Sequence, residues 1–157
     1  TQGNAHALAH AARCPLRAGE GWEDLFFRLL LERIEPAIGQ TRPTFLTHWP
    51  ASQAALACKD PADPRVALRF ELYAAGMELA NAFEELTDPA EQRLRFGHDR
   101  AERQQLYPNR PTWPVDEKLL HALPHMPPCS GIALGFDRLV MLSSGARHIQ
   151  VILWLQD

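Results

Sequence analysis

Apolar residues recur at helical spacing in the first third of the chain and at alternating positions in its middle. The helical pattern runs from Trp22 to Ile34, with charged residues on the opposite face. Pro36 and Gly39 then end this predicted helix. Alternation of apolar and polar residues over 65–86 predicts two strands. A turn at residues 74–76 is expected to join them, because its glycine readily takes positive φ.

Turn residues and shorter apolar runs predict the remaining elements. Asp88 and Pro89 suit the cap and the first position of a charged helix that reaches about Gln105. The other predicted elements are strands over 44–49, 132–135 and 149–155, a helical segment from Pro50 through 52–57, and short helices near 8–12, 116–122 and 137–143. Together they predict an α+β fold whose mostly antiparallel sheet is flanked by helices.

Composition excludes several classes of protein. A chain of 157 residues fits one domain or a large piece of one. Its net charge of −3, from 16 basic and 19 acidic residues, provides no overall positive field for nucleic acid. The three cysteines are far apart and form no CxxC pair, so we expect reduced thiols in a cytoplasmic protein rather than a disulfide framework or zinc site. The apolar runs are shorter than the ~20 residues of a membrane helix, so no membrane span is expected.

Two glutamates flank the predicted turn. Counting outward from Ala74-Ala75 places Glu71 and Glu78 directly opposite each other on adjacent strands. Facing carboxylates repel unless a cation lies between them, and Mg²⁺ uses one or two carboxylates together with phosphate oxygens. The spacing is therefore compatible with a Mg²⁺ site. Two exposed glutamates paired with Arg65 and Arg69 are the alternative interpretation.

The second predicted strand carries polar residues on an otherwise apolar face. Alternation places on this face Leu79, Asn81, Phe83 and Glu85. Buried amide and carboxylate groups need partners, and a cationic substrate would provide one for Glu85. The same alternation places Glu78 on the opposite face. A single site containing both glutamates would therefore need a β-bulge or a different register.

A strand, a glycine and a helix follow one another in the segment GIALGFDRLVML, residues 131–142. Gly135 leaves room for a ligand to approach the backbone, and Asp137 can cap the helix. Arg138 then lies at the helix N-terminus, where anions bind and where a guanidinium can pair with phosphate and stack on a purine. The segment suits a nucleotide site, although strand-to-helix turns with Gly and Asp are also common in other proteins.

In combination, these segments resemble the class II lysyl-tRNA synthetase family. GIALGFDRLVML is similar to motif 3 of these enzymes. RFELYAAGMELANAFEELTDPAEQRLRF is similar to the segment just upstream, with two glutamates and an ExxNGFxEL-type stretch. The resemblance runs from about Thr44 to the C-terminus. HWPASQAALA, ELAN and PPCSGIALGFDRLVML are most similar to the tRNA-independent branch of the family, whose members attach (R)-β-lysine to elongation factor P.

The resemblance implies a fold, an activity and a set of partners. The fold is that of a class II catalytic domain, which is homodimeric in the full-length protein. The activity is that of an ATP-dependent ligase, which activates lysine or (R)-β-lysine as an adenylate. The acceptor is elongation factor P or tRNA-Lys, and the implied cofactors are ATP and Mg²⁺.

Roles for individual residues follow from the same resemblance. The implied Mg²⁺ ligands are Glu71 and Glu78. The implied ATP-binding residues are Glu78, Leu79, Gly135 and Arg138, with Arg138 also catalytic. The implied amino-acid-binding residues are Asn81, Phe83, Glu85 and Ala133. Glu85 would meet the side-chain ammonium, while Arg138 would stack on adenine and meet phosphate.

Some positions depart from the family pattern. Ala82 replaces the glycine of NGF, and Ala133 stands where typical lysyl-tRNA synthetases carry glycine. One added methyl group shifts substrate preference by roughly 10- to 200-fold at most. Nothing matches motif 1, the usual dimer element, or motif 2, which supplies an arginine to the α-phosphate.

Three interpretations of the chain follow. Residues 1–157 are expected to form the C-terminal portion of a catalytic domain, with roughly half an active site and little activity alone. Because the chain starts at Thr1 without Met, a longer precursor or processing is expected. One alternative is a truncated paralogue that binds an amino acid or a partner without turnover. The other is part of a lysyl-tRNA synthetase with an N-terminal anticodon-binding domain.

Overall fold

The computed structural model describes residues 3–154. Within them the α-helices are α1 (Ala5–Ala11), α2 (Trp22–Leu29), α3 (Pro89–Leu106), α4 (Glu117–Ala122) and α5 (Phe136–Ser144). The strands are β1 (Thr44–Pro50), β2 (Val66–Ala74), β3 (Met77–Glu84) and β4 (Ser130–Leu134). A π-helix spans Leu30–Ile34, and 3-10 turns span Glu35–Ala37, Ala51–Gln53, Leu123–His125 and Ile149–Val151.

The four strands form one sheet in the order β1-β2-β3-β4. A two-residue turn joins β2 to β3, which makes this pair an antiparallel hairpin. Beside β4, the Gly135 N–H donates to Leu79 O at 2.8 Å. Glu85 follows Leu79 in the chain, whereas its partner Cys129, whose oxygen accepts from Glu85 N–H at 3.0 Å, precedes Gly135. The two strands therefore run in opposite directions, and β3 and β4 are also antiparallel. The predicted α+β fold with an antiparallel sheet and flanking helices is confirmed.

The hairpin turn consists of Ala75 and Gly76, with φ of 50° and 73°. Two successive positive φ values are typical of a type I′ turn, whose twist matches that of the flanking strands. A two-residue loop at this position places Tyr73, rather than Glu71, opposite Glu78. Glu71 is therefore a diagonal neighbour of Glu78, at a Cα separation of roughly 7–8 Å. The prediction that the two glutamates lie directly opposite was wrong, because alternation alone does not show which residues form the turn.

Helix boundaries follow their capping residues closely. Asp88 Oδ1 accepts a hydrogen bond from Ala90 N at 2.8 Å, and Asp116 Oδ1 accepts one from Lys118 N at 2.9 Å. These side chains occupy amide donors that a helix leaves unpaired at its start. The predicted helices α3 and α4 are confirmed. The helix predicted over residues 22–34 is confirmed in part, since its last five residues form a π-helix.

Two predicted elements are absent from the described part of the chain. After Pro50 the backbone makes only the 3-10 turn Ala51–Gln53, and residues 57 and 59 then form isolated antiparallel bridges. The strand predicted over 149–155 is instead a 3-10 turn at Ile149–Val151, and residue 155 lies outside the described residues. A short apolar run does not by itself distinguish a strand from other buried or half-buried segments.

The described chain divides into two compact units. The first unit takes residues up to 47, residues 70–81 and residues from 132 onward. The second unit takes residues 48–69 and 82–131. Within residues 3–154, no helix is both long enough and apolar enough to cross a membrane.

The first unit has an apolar core between α1 and α2. Its buried members are Cys14, Leu25 and Leu29. Beside this core, Arg28 donates to both carboxylate oxygens of Glu20, at 2.6 and 2.7 Å. This bidentate ion pair lowers the pKa of Glu20 to about 2.

The second unit contains a core of small residues, which we call the alanine cluster: Ala54, Ala57 and Ala67. Helix α3 docks beside it through polar side chains rather than an apolar stripe. Gln92 is 2% exposed and donates to Ala55 O at 3.0 Å. Arg95 donates to the carbonyl oxygens of Ala54 and Ala57, at 2.9 and 2.7 Å. Main-chain acceptors of the 54–57 loop are thereby satisfied by side chains of the helix.

Candidate functional site

Glu71 is held in a buried position on β2. Glu71 is only 6% exposed, and the Tyr73 hydroxyl donates to Glu71 Oε2 at 2.6 Å. The same hydroxyl oxygen lies 3.3 Å from Glu35 Oε1. Burial, followed by the hydrogen bond to Glu71, raises the pKa of Tyr73, so the phenol stays protonated and remains a donor. The interpretation of Glu71 as an exposed surface glutamate is therefore wrong.

Glu78 and Arg138 meet in the first unit although they are 60 positions apart. Arg138 Nη1 donates to the main-chain oxygen of Glu78 at 2.8 Å and to its Oε2 at 3.3 Å. The side chains are 48% and 36% exposed, so both remain accessible to a ligand. An ion pair this exposed contributes little to stability, which leaves it open to rearrangement when a charged ligand binds.

The start of α5 places Arg138 beside β3. Gly135 is the N-cap of α5, and its N–H donates to Leu79 O at 2.8 Å. Asp137, predicted to cap the helix, lies instead in its first turn. A Cβ at Gly135 would lie 3.4 Å from Leu79 O, a distance of ordinary contact, so glycine allows but does not require this close approach.

Glu71 and Glu78, the predicted Mg²⁺ ligands, lie on the hairpin formed by β2 and β3. Glu78 lies opposite Tyr73, and Glu71 is two positions before Tyr73, so all three share one face of the hairpin. Mg²⁺ is commonly bound by one or two carboxylates together with phosphate oxygens and water. No group of three or more His, Cys, Asp and Glu side chains within residues 3–154 is arranged to hold a metal.

Phe83 lies in the second unit, half-buried against the alanine cluster. The Arg69 guanidinium lies 5.6 Å from the centre of the Phe83 ring and 4.1 Å from that of Trp49. Arg69 also donates to the main-chain oxygen of Gln53. Phe83 thus packs between a cation and a core of small residues, and part of its ring is still exposed.

Glu85 lies in the second unit just beyond the end of β3. Its N–H donates to Cys129 O at 3.0 Å, and its main-chain oxygen accepts a hydrogen bond from Cys58 Sγ at 3.2 Å. Burial raises the pKa of Cys58, which keeps the thiol protonated and able to donate. The Glu85 carboxylate lies against Gly131 at the start of β4. Hydrogen bonds therefore fix the main-chain N–H and the main-chain oxygen of Glu85. Its side chain extends toward Gly131, which has no side chain of its own.

The structure divides the predicted site residues between the two units. In the first unit lie Glu71, Glu78, Leu79, Asn81, Ala133, Gly135 and Arg138. In the second unit lie Phe83 and Glu85. Leu79 is buried, Asn81 is half-buried, and Ala133 is exposed on β4.

Three residues around the site were not identified from the sequence. Tyr73 donates to Glu71, Gly131 leaves space for Glu85, and Arg69 stacks on Phe83. The spacing of Tyr73 from Glu71 was a usable signal, because residues two apart on a strand share a face. Gly131 and Arg69 gave no comparable signal, since their contacts join distant segments of the chain.

Replacing Tyr73 by phenylalanine is expected to destabilise the fold by about 1.5–3 kcal/mol, because a buried carboxylate loses a hydrogen-bond donor. Urea unfolding followed by circular dichroism measures the change. The matched control is Tyr107→Phe, at a residue that is 46% exposed, where a change within about 0.5 kcal/mol is expected. Equal stabilities of the two variants would show that the Tyr73 hydroxyl does not hold Glu71.

Comparisons with known proteins give the family. Residues 27–155 match the class II tRNA synthetases (D, K and N). The chain is 51% identical over 132 residues to the elongation factor P–(R)-β-lysine ligase of Hamiltonella defensa, covering 83% of the chain and 40% of that protein. For the proteins of the same name from Klebsiella pneumoniae strain 342 and Haemophilus ducreyi, the identities are 53% and 49%, covering 79% and 94% of the chain and 38% and 44% of those proteins.

The chain thus spans about two fifths of the length of these curated relatives. The family match extends from α2 to beyond the last described residue and includes every strand of the sheet. It covers GIALGFDRLVML and both segments that carry the candidate glutamates. The chain belongs to the class II tRNA synthetase family.

Proposed function

We propose that residues 1–157 form the C-terminal part of the catalytic domain of an ATP-dependent ligase that activates lysine or (R)-β-lysine. The observation that carries the proposal is the meeting of Glu78 and Arg138, which joins a carboxylate on β3 to a guanidinium in the first turn of α5. A carboxylate suits Mg²⁺ and a guanidinium suits phosphate, so the pair is matched to a metal-bound nucleotide. Relatives of about 50% identity that carry the ligase name support this substrate class.

The first unit supplies the nucleotide contacts in this proposal. Glu71 and Glu78 would hold Mg²⁺, and the hydrogen bond from the Tyr73 hydroxyl orients the Glu71 carboxylate. Bound Mg²⁺ neutralises charge on the phosphates of ATP. The ion pair between Arg138 and Glu78 is exposed, so Arg138 would be free to meet phosphate and the adenine ring when ATP binds. Gly135 and Leu79 bring the backbone of β3 and the start of α5 close to the nucleotide.

Amino-acid recognition is assigned to Asn81, Phe83, Glu85 and Ala133. The Glu85 carboxylate pairs with the side-chain ammonium, and Phe83 provides an apolar surface for the methylene groups. Ala133 adds one methyl group where typical lysyl-tRNA synthetases carry glycine. In this proposal that methyl group contributes to the choice between lysine and (R)-β-lysine.

The chemistry consists of two displacements. A carboxylate oxygen of the amino acid attacks the α-phosphorus of ATP, forming the acyl-adenylate as the bond to pyrophosphate breaks. An acceptor group then attacks the activated carbonyl and AMP leaves; for elongation factor P the acceptor is a lysine amine, which loses a proton. Positioning and stabilisation of phosphate charge carry the first step, so no side chain of this chain acts as a nucleophile.

The test uses the complete natural polypeptide that contains these 157 residues. We expect exchange of pyrophosphate into ATP that depends on lysine or (R)-β-lysine, and transfer of the labelled amino acid to elongation factor P rather than to tRNA-Lys. Residues 1–157 alone are expected to show little exchange, because losing even one preorganised charge stabiliser costs roughly 10²–10³ in rate. Transfer to tRNA-Lys would identify the other acceptor. Binding of the amino acid without exchange would instead identify a non-catalytic binding module and overturn the ligase proposal.

A further inference from the structure

Gly131 faces the side chain of Glu85 within the second unit. A Cβ added at Gly131 would lie 3.3 Å from Glu85 Cδ and 3.8 Å from Cγ, and closer still to Oε1. The Cβ of any other residue at position 131 would be too close to Glu85 Oε1 for a normal van der Waals contact. A residue with a side chain at position 131 would therefore compete with the Glu85 carboxylate for the same space.

The backbone does not explain why residue 131 is glycine. In the described part of the chain, the glycines with positive φ are Gly3, Gly19, Gly39, Gly76 and Gly145. Gly131 has a φ that other residues adopt readily, and it lies within β4, where glycine is a weak strand former. The space taken by the Glu85 carboxylate is the reason that the geometry offers.

The main chain on either side of Glu85 is fixed by hydrogen bonds. Glu85 N–H donates to Cys129 O, Glu85 O accepts from the Cys58 thiol, and Leu86 N–H donates to Leu56 O at 2.9 Å. The strand end cannot shift without breaking these bonds. A clash at position 131 is therefore relieved by rotation of the Glu85 side chain, which has a flexible end.

We propose that Gly131 is a positioning residue that determines where the Glu85 carboxylate lies and, through it, how tightly a substrate with a side-chain ammonium binds. The substrate part of this inference rests on the proposed function, whereas the steric part rests on the contact between Gly131 and Glu85 alone. Removing the carboxylate partner of a desolvated ammonium weakens binding by roughly 30- to 5,000-fold, so a displaced carboxylate should weaken it by about 10²-fold.

The test is Gly131→Ala in the complete natural polypeptide. We expect the KM for lysine and for (R)-β-lysine in pyrophosphate exchange to rise by about 10²-fold. The kcat and the KM for ATP should change little, because the nucleotide residues keep their contacts. The matched control is Gly97→Ala, at a helical glycine of α3 where an added Cβ would meet no atom within 4 Å, so every constant should match wild type.

A second comparison asks whether Gly131 acts through Glu85. In a Glu85→Ala background there is no carboxylate to displace, so Gly131→Ala should add no further rise in KM. An equally large rise in that background would overturn the proposal. A KM for both amino acids that stays at the wild-type value in Gly131→Ala would overturn it as well.

A measurement that does not depend on enzyme activity tests the positioning role of Gly131 separately from the proposed function. The ¹³C resonance of the Glu85 carboxyl carbon, assigned by its loss in Glu85→Gln, should shift in Gly131→Ala and stay in place in Gly97→Ala. Urea unfolding of the same samples shows whether each variant is folded. If the wild type shows no exchange with either amino acid, the proposed function fails. The ¹³C shift then decides the positioning role by itself, and an unshifted resonance in folded Gly131→Ala overturns it.

Discussion

Replacing Glu85 by glutamine is expected to reduce kcat/KM for lysine and (R)-β-lysine by roughly 30- to 5,000-fold in pyrophosphate exchange. The change keeps the size of the side chain and removes the negative charge that we propose pairs with the substrate ammonium. Leaving a desolvated ammonium without its partner costs about 2–5 kcal/mol, which corresponds to this range of rates. The main-chain hydrogen bonds of Glu85 to Cys129 and Cys58 are unaffected, so the fold should be retained.

The measurement compares saturation curves for each amino acid at fixed ATP, and for ATP at saturating amino acid. The KM for ATP is expected to stay at the wild-type value, because the proposed nucleotide contacts come from other residues. Glu84→Gln is the matched control: it removes the same charge from the neighbouring exposed side chain and should leave all constants unchanged. Equal activity of Glu85→Gln and wild type with both amino acids would show that the ammonium is bound elsewhere.

Replacing Arg138 by alanine is expected to lower kcat/KM for ATP by about 10²–10³, whichever amino acid is supplied. The guanidinium is proposed to stabilise charge that develops on phosphate, so its loss affects the activation step itself. The substitution also removes the contacts of Arg138 with the main-chain and side-chain oxygens of Glu78. Because that ion pair is exposed, the free energy of unfolding should change little.

Arg138→Lys distinguishes charge from shape. Lysine keeps the positive charge but cannot stack on a purine or bind phosphate through two N–H groups. We therefore expect Arg138→Lys to recover only part of the activity lost in Arg138→Ala. Arg147→Ala, at an exposed arginine that follows α5, is the control for a change of net charge. A loss confined to one amino acid would show that Arg138 serves amino-acid selection and not the nucleotide.

Local sequence rules predicted the elements whose signals lie within a few residues. The Asp88 cap marked the start of α3, and alternation marked the hairpin. The turn was misplaced by one residue, because Ala75 takes the positive φ that is more common for Gly, Asn or Asp. The run at 149–155 was assigned to a strand from its apolar character, which does not specify a pairing partner.

Tertiary contacts explain what sequence patterns did not reveal. Helix α3 docks through Gln92 and Arg95, so its buried face does not follow a hydrophobic stripe. Arg138 was identified as a candidate from its segment, but its meeting with Glu78 depends on chain topology. The resemblance to a family with known motifs supplied residue roles that periodicity could not. Those roles for the ATP-, metal- and amino-acid-binding residues stay predictions until the variants are measured.

The two-residue turn at Ala75 and Gly76 constrains insertions and deletions more strongly than substitutions. Side chains alternate along β2 and β3, so adding or removing one residue in the loop and re-pairing the strands would move Glu78 to the other face of its strand. Glu78 would then no longer share a face with Glu71 and Tyr73. Replacement of Ala75 by glycine or asparagine keeps the loop length and suits its positive φ. Natural variation in this hairpin should therefore change the identity of the turn residues far more often than their number.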